Sequence, residues 1–397
     1  MKSTTTELEQ PTYSLKQLTQ YFLKLGALGF GGPIALIGYM HRDLVEDRQW
    51  ISEAGYQEGL TLAQVAPGPL AAQLSFYLGY LHYGFLGSAL VGLAFVLPSF
   101  LMVVALGWAY TLYGGLSWMQ AVFYGVGACV IGIIAQSTYK LTRKTVGTDW
   151  LFWGIYLVNA IATIVTESER IELILAAGVL VWLIKAPPRK WFQRRKLTSF
   201  VGLPFVPLVA AVPVATAPLL WQIFLFFGTA GSFVFGSGLA IVPFLYGGVV
   251  KHYQWLDAQQ FVDAVAVAMI TPGPVVITTG FIGFLVAGFA GACVAAIAMF
   301  IPCYLLTIIP APYFRKHGKK PAIAAFVNGV TVAATGAIAG AVVVLGRQSL
   351  RDIPTLLIGV VTLAALWRFG KKLPEPLVVA IAAIVGLLIY PVMYPQG

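Results

Sequence analysis

Residues 25–39, LGALGFGGPIALIGY, combine an apolar composition with the residue types that interrupt helices. The stretch contains one proline, Pro33. Its glycines are Gly26, Gly29, Gly31, Gly32 and Gly38. An apolar run belongs in a core or a bilayer, whereas glycine and proline break the helix that would satisfy its backbone there. The stretch therefore predicts a helix that is broken inside an apolar environment.

The composition of the whole chain identifies that environment as a membrane. Of the 397 residues, 59% are hydrophobic and 10% are charged, against about 25% charged residues in a typical soluble domain. Apolar spans approach the length of about 20 residues that a transmembrane helix needs. They cover residues 85–112, 117–139, 149–166, 171–185, 200–220, 289–314, 321–346, 354–368 and 374–394. We expect an all-α polytopic membrane protein.

Charge and cysteine content exclude several functions. The net charge is +10, but the lysines and arginines cluster between the apolar spans, which indicates membrane topology rather than nucleic-acid binding. Cys129, Cys293 and Cys303 stand alone in apolar spans, so we interpret them as buried small residues and expect no metal and no cofactor. The polar N-terminus lacks the features of a signal peptide, and we expect it in the cytoplasm.

The two halves of the chain carry the same motifs in the same order. ALGFGGPIAL at 27–36 aligns with SFVFGSGLAI at 232–241 at an offset of 205 residues (232 − 27 = 205). The same offset aligns the PGP motif at 67–69 with the PGP motif at 272–274. Because the register persists over about a hundred residues, we interpret it as an internal repeat rather than chance.

Each half is predicted to contain two broken segments, A and B, followed by four spans, C to F. In the first half, segment A covers 14–46 and segment B covers 51–83. The predicted divisions are a cytoplasmic tail at 1–13, a first repeat at 14–186, a basic loop with a linker span at 187–220, and a second repeat at 221–397. Whether segments A and B cross the membrane or re-enter it stays open.

The basic loops predict that the second repeat is inverted. They follow spans D and F in the first half but spans C and E in the second half. Since basic loops stay in the cytoplasm, the N-terminus is expected there and the C-terminus in the periplasm. Inverted repeats are typical of secondary transporters, which bind substrate near the midplane where the repeats meet.

The four breaks are the candidate substrate site. They are Gly31, Gly32 and Pro33; Pro67, Gly68 and Pro69; Gly236, Ser237 and Gly238; and Pro272, Gly273 and Pro274. A half-helix that begins inside the membrane offers unpaired N–H groups and the positive end of its dipole. Several such ends would suit a small tetrahedral oxyanion. The alternative is that glycine and proline only permit kinks and close packing.

Three charged residues lie near the breaks. Glu58 and Asp263 are equivalent by the repeat (263 − 58 = 205), so they form either a proton-coupling pair or two solvated acids at helix starts. Lys24 is either a counter-charge for the anion or a snorkelling residue of an amphipathic helix.

With FLKLGALGFGGP at 22–33, APGPLAAQLSFYLGY at 66–80 and the second PGP, the chain resembles the chromate ion transporter family over nearly its full length. The resemblance implies a two-domain, multi-pass protein of the bacterial inner membrane that exports chromate, with a proton gradient or the membrane potential as the driving force. The expected partners are chromate or sulfate, protons and lipid, without nucleic acid, and a homodimer stays open. The second copy departs from the motif at Ser237 and Gly238, which weakens the expectation that both halves are used symmetrically.

Two alternative functions stay open. A sulfate or related oxyanion carrier is the closer one, because chromate and sulfate share charge and shape. A membrane-embedded enzyme is the other, and the sequence lacks a cysteine pair, an HExxH motif and a P-loop. We therefore expect a transporter and not an enzyme.

Overall fold

The structure is a computed structural model that describes residues 12–30, 32–113, 117–167, 170–187, 219–233, 241–313, 321–369 and 373–394. Within these ranges all regular structure is helical and no strand occurs. The predicted linker span at 200–220 lies almost entirely outside the described residues, as do Gly31, Gly236, Ser237 and Gly238.

The described part of the first half contains seven helices: α1 (Leu15–Leu28), α2 (Gly32–His41), α3 (Glu53–Val65), α4 (Leu70–Tyr113), α5 (Ser117–Thr145), α6 (Trp150–Thr166) and α7 (Ile171–Lys185). The second half contains α8 (Leu219–Phe233), α9 (Val242–Leu245), α10 (Ala258–Ile270), α11 (Thr278–Ile308), α12 (Pro321–Ser349), α13 (Ile353–Phe369) and α14 (Glu375–Met393). A π-helical turn extends α2 and another extends α9, and a 3-10 turn precedes α11. The all-α architecture with two repeated halves and broken helices is confirmed.

The repeat is kept in the helix boundaries themselves. Both ends of α10 follow those of α3 by 205 residues (258 − 53 and 270 − 65), and both ends of α12 follow those of α5 by 204 (321 − 117 and 349 − 145). Even an unusual backbone conformation recurs, because the equivalent residues Gln49 and Gln254 both have a positive φ of 52°. The two halves therefore have the same local structure.

Segment A is a re-entrant hairpin. The chain enters at Tyr13, breaks after α1, and returns through α2 to Trp50, whose ring stacks on that of Tyr13 at 5.0 Å. Between these ends, the Tyr21 hydroxyl donates to Asp43 Oδ2 at 3.3 Å. With 14 residues, α1 is about 21 Å long, which is too short for a hydrocarbon core of about 30 Å. The segment starts and ends on one face, which we call the N-face.

Segment B is a second hairpin from the same face. A side chain at Gly59 of α3 would overlap the Tyr77 ring of α4, and Gly55 lies beside Leu81, so the two arms run antiparallel. The arms meet at the break between Val65 and Leu70. The segment ends beside its own entrance and that of segment A.

The contact between the two hairpins involves Tyr13. Its hydroxyl is 2.6 Å from His82 Nδ1, and its carbonyl accepts a hydrogen bond from Tyr83. Tyr13 is only 4% exposed, so the packed first repeat begins within the predicted tail. At Gly84, with φ 61° and ψ −152°, α4 reverses direction and begins helix C, residues 85–113.

The second half is inverted relative to the first. Its α11 reverses at Gly288 and continues as helix C′, residues 289–308. At the start of helix C, the carbonyl of Phe85 accepts from the hydroxyl of Tyr304 at 3.1 Å. Farther along helix C, Phe100 contacts Phe289 at the start of helix C′, with 6.5 Å between ring centroids. Equivalent helices thus run antiparallel.

The helix ends that do not lie on the N-face lie on the opposite face of the bundle, which we call the C-face. Glu167, after α6, pairs there with Lys251. Asp352, between α12 and α13, accepts hydrogen bonds from Tyr124 at 2.7 Å and Tyr394 at 3.2 Å. The described chain therefore starts on the N-face and ends on the C-face.

The two halves are joined because helices of each half pack against helices of the other. Helix α5 of the first half packs on α13 and α14, while α12 of the second half packs on α6 and α7. Glycine allows the close approach: a Cβ at Gly125 would overlap the carbonyl of Ala382, and a Cβ at Gly329 would lie 2.5 Å from that of Ala177. Because each half completes the other, they form one bundle.

Five helical stretches in the described part are long and apolar enough to cross a membrane. They are Leu70–Tyr113, Ser117–Thr145, Val275–Tyr313, Pro321–Ser349 and Glu375–Met393. Two of them contain the reversals at Gly84 and Gly288, so in these only helix C and helix C′ run the full depth of the bundle.

The re-entrant, inverted arrangement predicts opposite labelling of two equivalent residues. In a chain without its native cysteines, Gln49→Cys should react with a membrane-impermeant thiol reagent from the same side as Ser14→Cys. Gln254→Cys should react only from the other side. All three side chains are exposed. Labelling of Gln49→Cys and Gln254→Cys from one side would contradict the inversion.

Candidate functional site

The described breaks lie at the tips of the hairpins, deep in the bundle. In segment A, α1 ends at Leu28 and α2 begins at Gly32, with Pro33 as its second residue. In segment B, residues 66–69 separate α3 from α4. In the equivalent second segment, residues 271–274 separate α10 from the 3-10 turn. The tips carry no ionisable side chain, so their chemistry is that of the backbone.

The tip at Gly273 contacts the first half. Gly273 has a φ of 93° and its N–H donates to the carbonyl of Gly29, at the tip of segment A, with an N–O distance of 2.9 Å. A Cβ at Gly273 would overlap Ser99 Oγ of helix C. Ser99 in turn donates to the carbonyl of Gly26 at 3.3 Å. Tips from both halves and helix C thus meet at one place.

The tip at Gly68 repeats this arrangement in the other half. Gly68 has a φ of 141°, and a Cβ there would lie 3.1 Å from Cys303 Cβ of helix C′. Cys303 donates to the carbonyl of Gly231 at 3.2 Å, as Ser99 does to the carbonyl of Gly26. Each PGP tip is therefore inserted against the C helix of the opposite half.

Sequence reasoning missed Gln73, which supports the tip of segment B. Its side chain is 0% exposed. Its Nε2 donates to the carbonyls of Ala66 at 3.1 Å and Pro67 at 2.7 Å, which the break leaves without helical partners. In the second half Thr278 is the equivalent residue, and its hydroxyl donates to the carbonyl of Val275 at 2.7 Å. A lone amide four residues after PGP was the available signal.

Asp263 is a buried acid whose carboxylate accepts hydrogen bonds from two side chains. Its side chain is 4% exposed. Oδ2 accepts from the Tyr110 hydroxyl at 2.8 Å, and Oδ1 accepts from Gln259 Nε2 at 3.0 Å. The description of this acid as a solvated helix-start residue does not fit its burial.

Glu58 has a different environment from its equivalent Asp263. It is partly exposed. The residues equivalent to Gln259 and Tyr110 are Ala54 and Phe314, whose side chains carry no hydrogen-bond donor. The repeat thus places an acid in both halves, but gives only one of them this pair of donors.

Lys24 does not lie at the tips. It is exposed on α1, next to the exposed Leu23 and four residues before the exposed Leu28. An ammonium among exposed apolar side chains matches the snorkelling interpretation.

An open cavity of about 440 Å³ leads inward from the C-face, and we call it the C-face chamber. It is lined by Tyr110, Gln120, Phe123, Tyr124, Gly127, Ala128, Asp257, Gln259, Gln260, Asp263, Gln348, Ser349, Arg351, Asp352, Thr355, Tyr390 and Tyr394. The chamber therefore connects the buried Asp263 with the surface of the protein.

Asp352 at the chamber mouth is held ionised. Burial raises its pKa, but the hydrogen bonds from Thr355, Tyr124 and Tyr394 stabilise the carboxylate and bring the pKa below its usual value. The mouth thus carries a fixed negative charge at neutral pH.

Comparison with known proteins fits the two-half architecture. The chromate transporter family profile matches residues 16–182 and again residues 221–387. These two matches begin 205 residues apart (221 − 16 = 205), which is the offset of the structural repeat. The chain belongs to the chromate transporter family.

Curated members of this transporter family resemble the chain over almost its whole length. A probable chromate transport protein of Synechococcus elongatus is 80% identical, over 96% of this chain and 97% of the relative. A chromate transport protein of Cupriavidus metallidurans is 65% identical, over 97% and 95%. One of Pseudomonas aeruginosa is 31% identical, over 98% and 95%. No solved structure matches this member of the chromate transporter family.

Proposed function

We propose that this protein is a secondary transporter that exports chromate from the bacterial cytoplasm and binds it at the hairpin tips. The observation that carries the proposal is the hydrogen bond between Gly273 and Gly29, which joins re-entrant tips of opposite halves inside the bundle. The relative with 80% identity is a probable chromate transport protein, and the one with 65% identity is a chromate transport protein. Substrate sites of inverted-repeat transporters lie where the repeats meet.

The tips suit a dianion without any arginine. Helices α2 and α4 begin at the tips, and the N-terminus of a helix carries roughly half a positive elementary charge together with unpaired N–H groups. The tips are tightly packed, and the Gly273 N–H is already engaged. Binding therefore requires the tips of the two halves to separate, which would link substrate binding to movement of one half against the other.

The charge distribution supports a cytoplasmic N-face. The N-face holds the basic ends of α5, α7 and α13 together with the turn after segment A, namely Lys140, Arg143, Lys144, Lys185, Arg368 and Arg48. The C-face holds fewer basic residues among those described, namely Arg170, Lys251, Arg347 and Arg351. By the positive-inside rule, we infer an inner-membrane protein whose N-terminus lies in the cytoplasm and whose C-terminus lies in the periplasm.

Energy coupling in this proposal uses Asp263, with Glu58 in a lesser role. An acid within a membrane protein is costly unless it has a partner or a function. Asp263 is buried in the part of the bundle that leads, through α10, to the Gly273 tip. Protonation of Asp263 in exchange for chromate release would drive export by the proton gradient.

Anion competition tests the proposed substrate. Everted membrane vesicles that contain the protein should take up chromate, and sulfate should inhibit this uptake strongly because backbone donors sense charge and tetrahedral oxygens rather than the central atom. Chloride at the same concentration should inhibit at least about tenfold less, since a small monovalent ion cannot engage several helix ends at once.

Two outcomes would contradict the proposal in different ways. Equal inhibition by chloride and sulfate would indicate a general anion pathway in place of an oxyanion site. Transport of labelled sulfate with no transport of chromate would establish the sulfate carrier as the function. Vesicles with the same protein carrying Gly38→Ala, at an exposed helical position with open space for a methyl group, serve as the expression-matched control.

A further inference from the structure

We propose that the C-face chamber is the route by which protons reach Asp263, and that Tyr110 is the residue that positions the Asp263 carboxylate for this exchange. The inference deepens the proposed function and rests on it, because it assigns a side of the membrane and a positioning residue to the coupling acid. It follows from a cavity, a buried carboxyl and a hydrogen bond between the two halves.

Asp263 reaches solvent through the chamber. Its side chain is 96% shielded, yet it lines a cavity that also touches Asp257, Gln260 and Arg351 near the surface. Water in a polar cavity of about 440 Å³ has enough space and enough hydrogen-bond partners to form a connected file. The route therefore opens to the C-face.

Tyr110 is held firmly in place. It lies on helix C of the first half, whereas Asp263 lies on α10 of the second half. Its ring packs edge-on against Phe123 at 5.4 Å and against the fully buried Phe281 at 5.7 Å. From this position the hydroxyl donates to Asp263 at 2.8 Å. The bond fixes the carboxylate and ties it to the opposite half.

Three polar residues of the lining, Gln120, Gln259 and Gln260, have equivalents in the other half that carry no polar side chain. By the repeat, Gln120 and Tyr124 correspond to Ala324 and Asn328 at an offset of 204 (324 − 120 = 204). Gln259 and Gln260 correspond to Ala54 and Gly55 at an offset of 205 (259 − 54 = 205). Because the helices themselves are equivalent, the fold does not require these polar side chains. The three glutamines on the C-face therefore point to a task that their equivalents in the other half do not share.

The charges at the chamber favour protons over the chromate dianion. The acids are Asp257, Asp352 and Asp263, and among the described residues Arg351 is the single basic residue of the lining. The Nε of Arg351 donates a hydrogen bond to the backbone carbonyl of Gln348 at 2.6 Å. The remaining titratable residues that face Asp263 across the chamber are Tyr110, Tyr124, Tyr390 and Tyr394. A lining with an excess of carboxylates attracts hydronium and repels a dianion.

Replacement of Tyr110 by phenylalanine tests the positioning role. The Tyr110 hydroxyl donates to Asp263 Oδ2, and a hydrogen bond donated to a carboxyl group favours its ionised form. Without it, Asp263 should stay protonated to higher pH. For Tyr110→Phe we expect the pH of half-maximal chromate transport to rise by about one unit. Tyr304→Phe is the matched control, because its hydroxyl also bridges the halves but bonds a carbonyl, that of Phe85.

Gln259→Leu is a second variant that keeps the inference testable if Tyr110→Phe inserts poorly. It removes the other donor to Asp263, so the pH midpoint should move in the same direction. A merely structural role for Tyr110 would lower transport at every pH without moving the midpoint. An unmoved midpoint in both variants would overturn the positioning role.

Blocking the chamber tests the route. In a chain without native cysteines, Gln120→Cys is modified from the C-face with a bulky membrane-impermeant thiol reagent. We expect at least a fivefold loss of chromate transport driven by a pH gradient. Gln254→Cys, exposed on the same face but outside the chamber lining, should keep its activity after the same treatment. Undiminished pH-driven transport by modified Gln120→Cys would refute the route.

Failure of this inference is distinguishable from failure of the proposed function. If Asp263→Asn removes the pH dependence while Tyr110→Phe and modified Gln120→Cys behave as native, the coupling acid stands and the chamber inference is wrong. If Asp263→Asn leaves the pH dependence unchanged, the proposed coupling itself fails. The chamber then has no coupling acid to which it could deliver protons.

Discussion

Gly273→Ala is expected to abolish chromate transport while the protein still inserts into the membrane. The residue adopts a φ of 93°, and its added Cβ would overlap Ser99 Oγ. An L-residue in this backbone region costs on the order of 1–3 kcal/mol, and the overlap adds the cost of moving the tip. The hydrogen bond from Gly273 to Gly29 joins the two halves, so displacement should disrupt the site. We expect at least a hundredfold loss of chromate uptake in everted vesicles.

Two glycine variants separate the causes of that loss. Gly288→Ala carries a comparable backbone strain, with a φ of 61°, but its Cβ meets open space. Gly38→Ala has neither strain nor overlap. We expect near-native transport for Gly38→Ala and only a moderate loss for Gly288→Ala, all at matched membrane levels.

Removal of the obstructing hydroxyl should restore part of the activity. In Gly273→Ala with Ser99→Ala, the new Cβ would lie 3.2 Å from the Cβ that Ser99 leaves behind, a tight but tolerable contact. Transport should recover by about tenfold or more over the single variant, since the strain of the positive φ remains. Full activity of Gly273→Ala alone would refute the assignment of the substrate site to the tips.

Asp263→Asn is expected to produce the second largest effect, the loss of pH-gradient dependence. The asparagine has a similar size and can accept a hydrogen bond from Tyr110 or Gln259, but its side chain cannot take up or release a proton. Chromate should still bind, so it should still protect a cysteine introduced at a hairpin tip from a thiol reagent. The pH-driven component of uptake should fall by about tenfold or more, because the gradient no longer has a site to act on.

The equivalent change in the other half is expected to be milder. Glu58 is partly exposed, and the two donors to Asp263 correspond in the repeated sequence to Ala54 and Phe314, whose side chains carry no donor. Glu58→Gln should therefore keep most of the pH response, and the double variant should resemble Asp263→Asn. Uptake is measured in vesicles at fixed membrane potential with and without a pH gradient. Equal effects of the two single changes would contradict the asymmetry.

Part of the candidate site was readable from the sequence. The PGP motifs at 67–69 and 272–274 predicted breaks, and the structure ends α3 at Val65 and α10 at Ile270. The prediction succeeded because proline and glycine act on the backbone of their own segment, whatever surrounds them. The pairing of Gly273 with Gly29 and Ser99 was not readable, since it joins residues from three distant segments.

The sequence by itself determined the membrane class, the repeat, the inversion of the second half and the positions of the two PGP breaks. These properties follow from composition, periodicity, basic loops and local backbone chemistry, which belong to short stretches of chain. Only the tertiary structure decided that segments A and B re-enter, because that depends on Tyr13 reaching Trp50 and His82. It also decided that Asp263 meets Tyr110, a residue 153 positions away. Such contacts arise when whole helices pack, so the sequence of one helix alone does not identify the helix that it contacts.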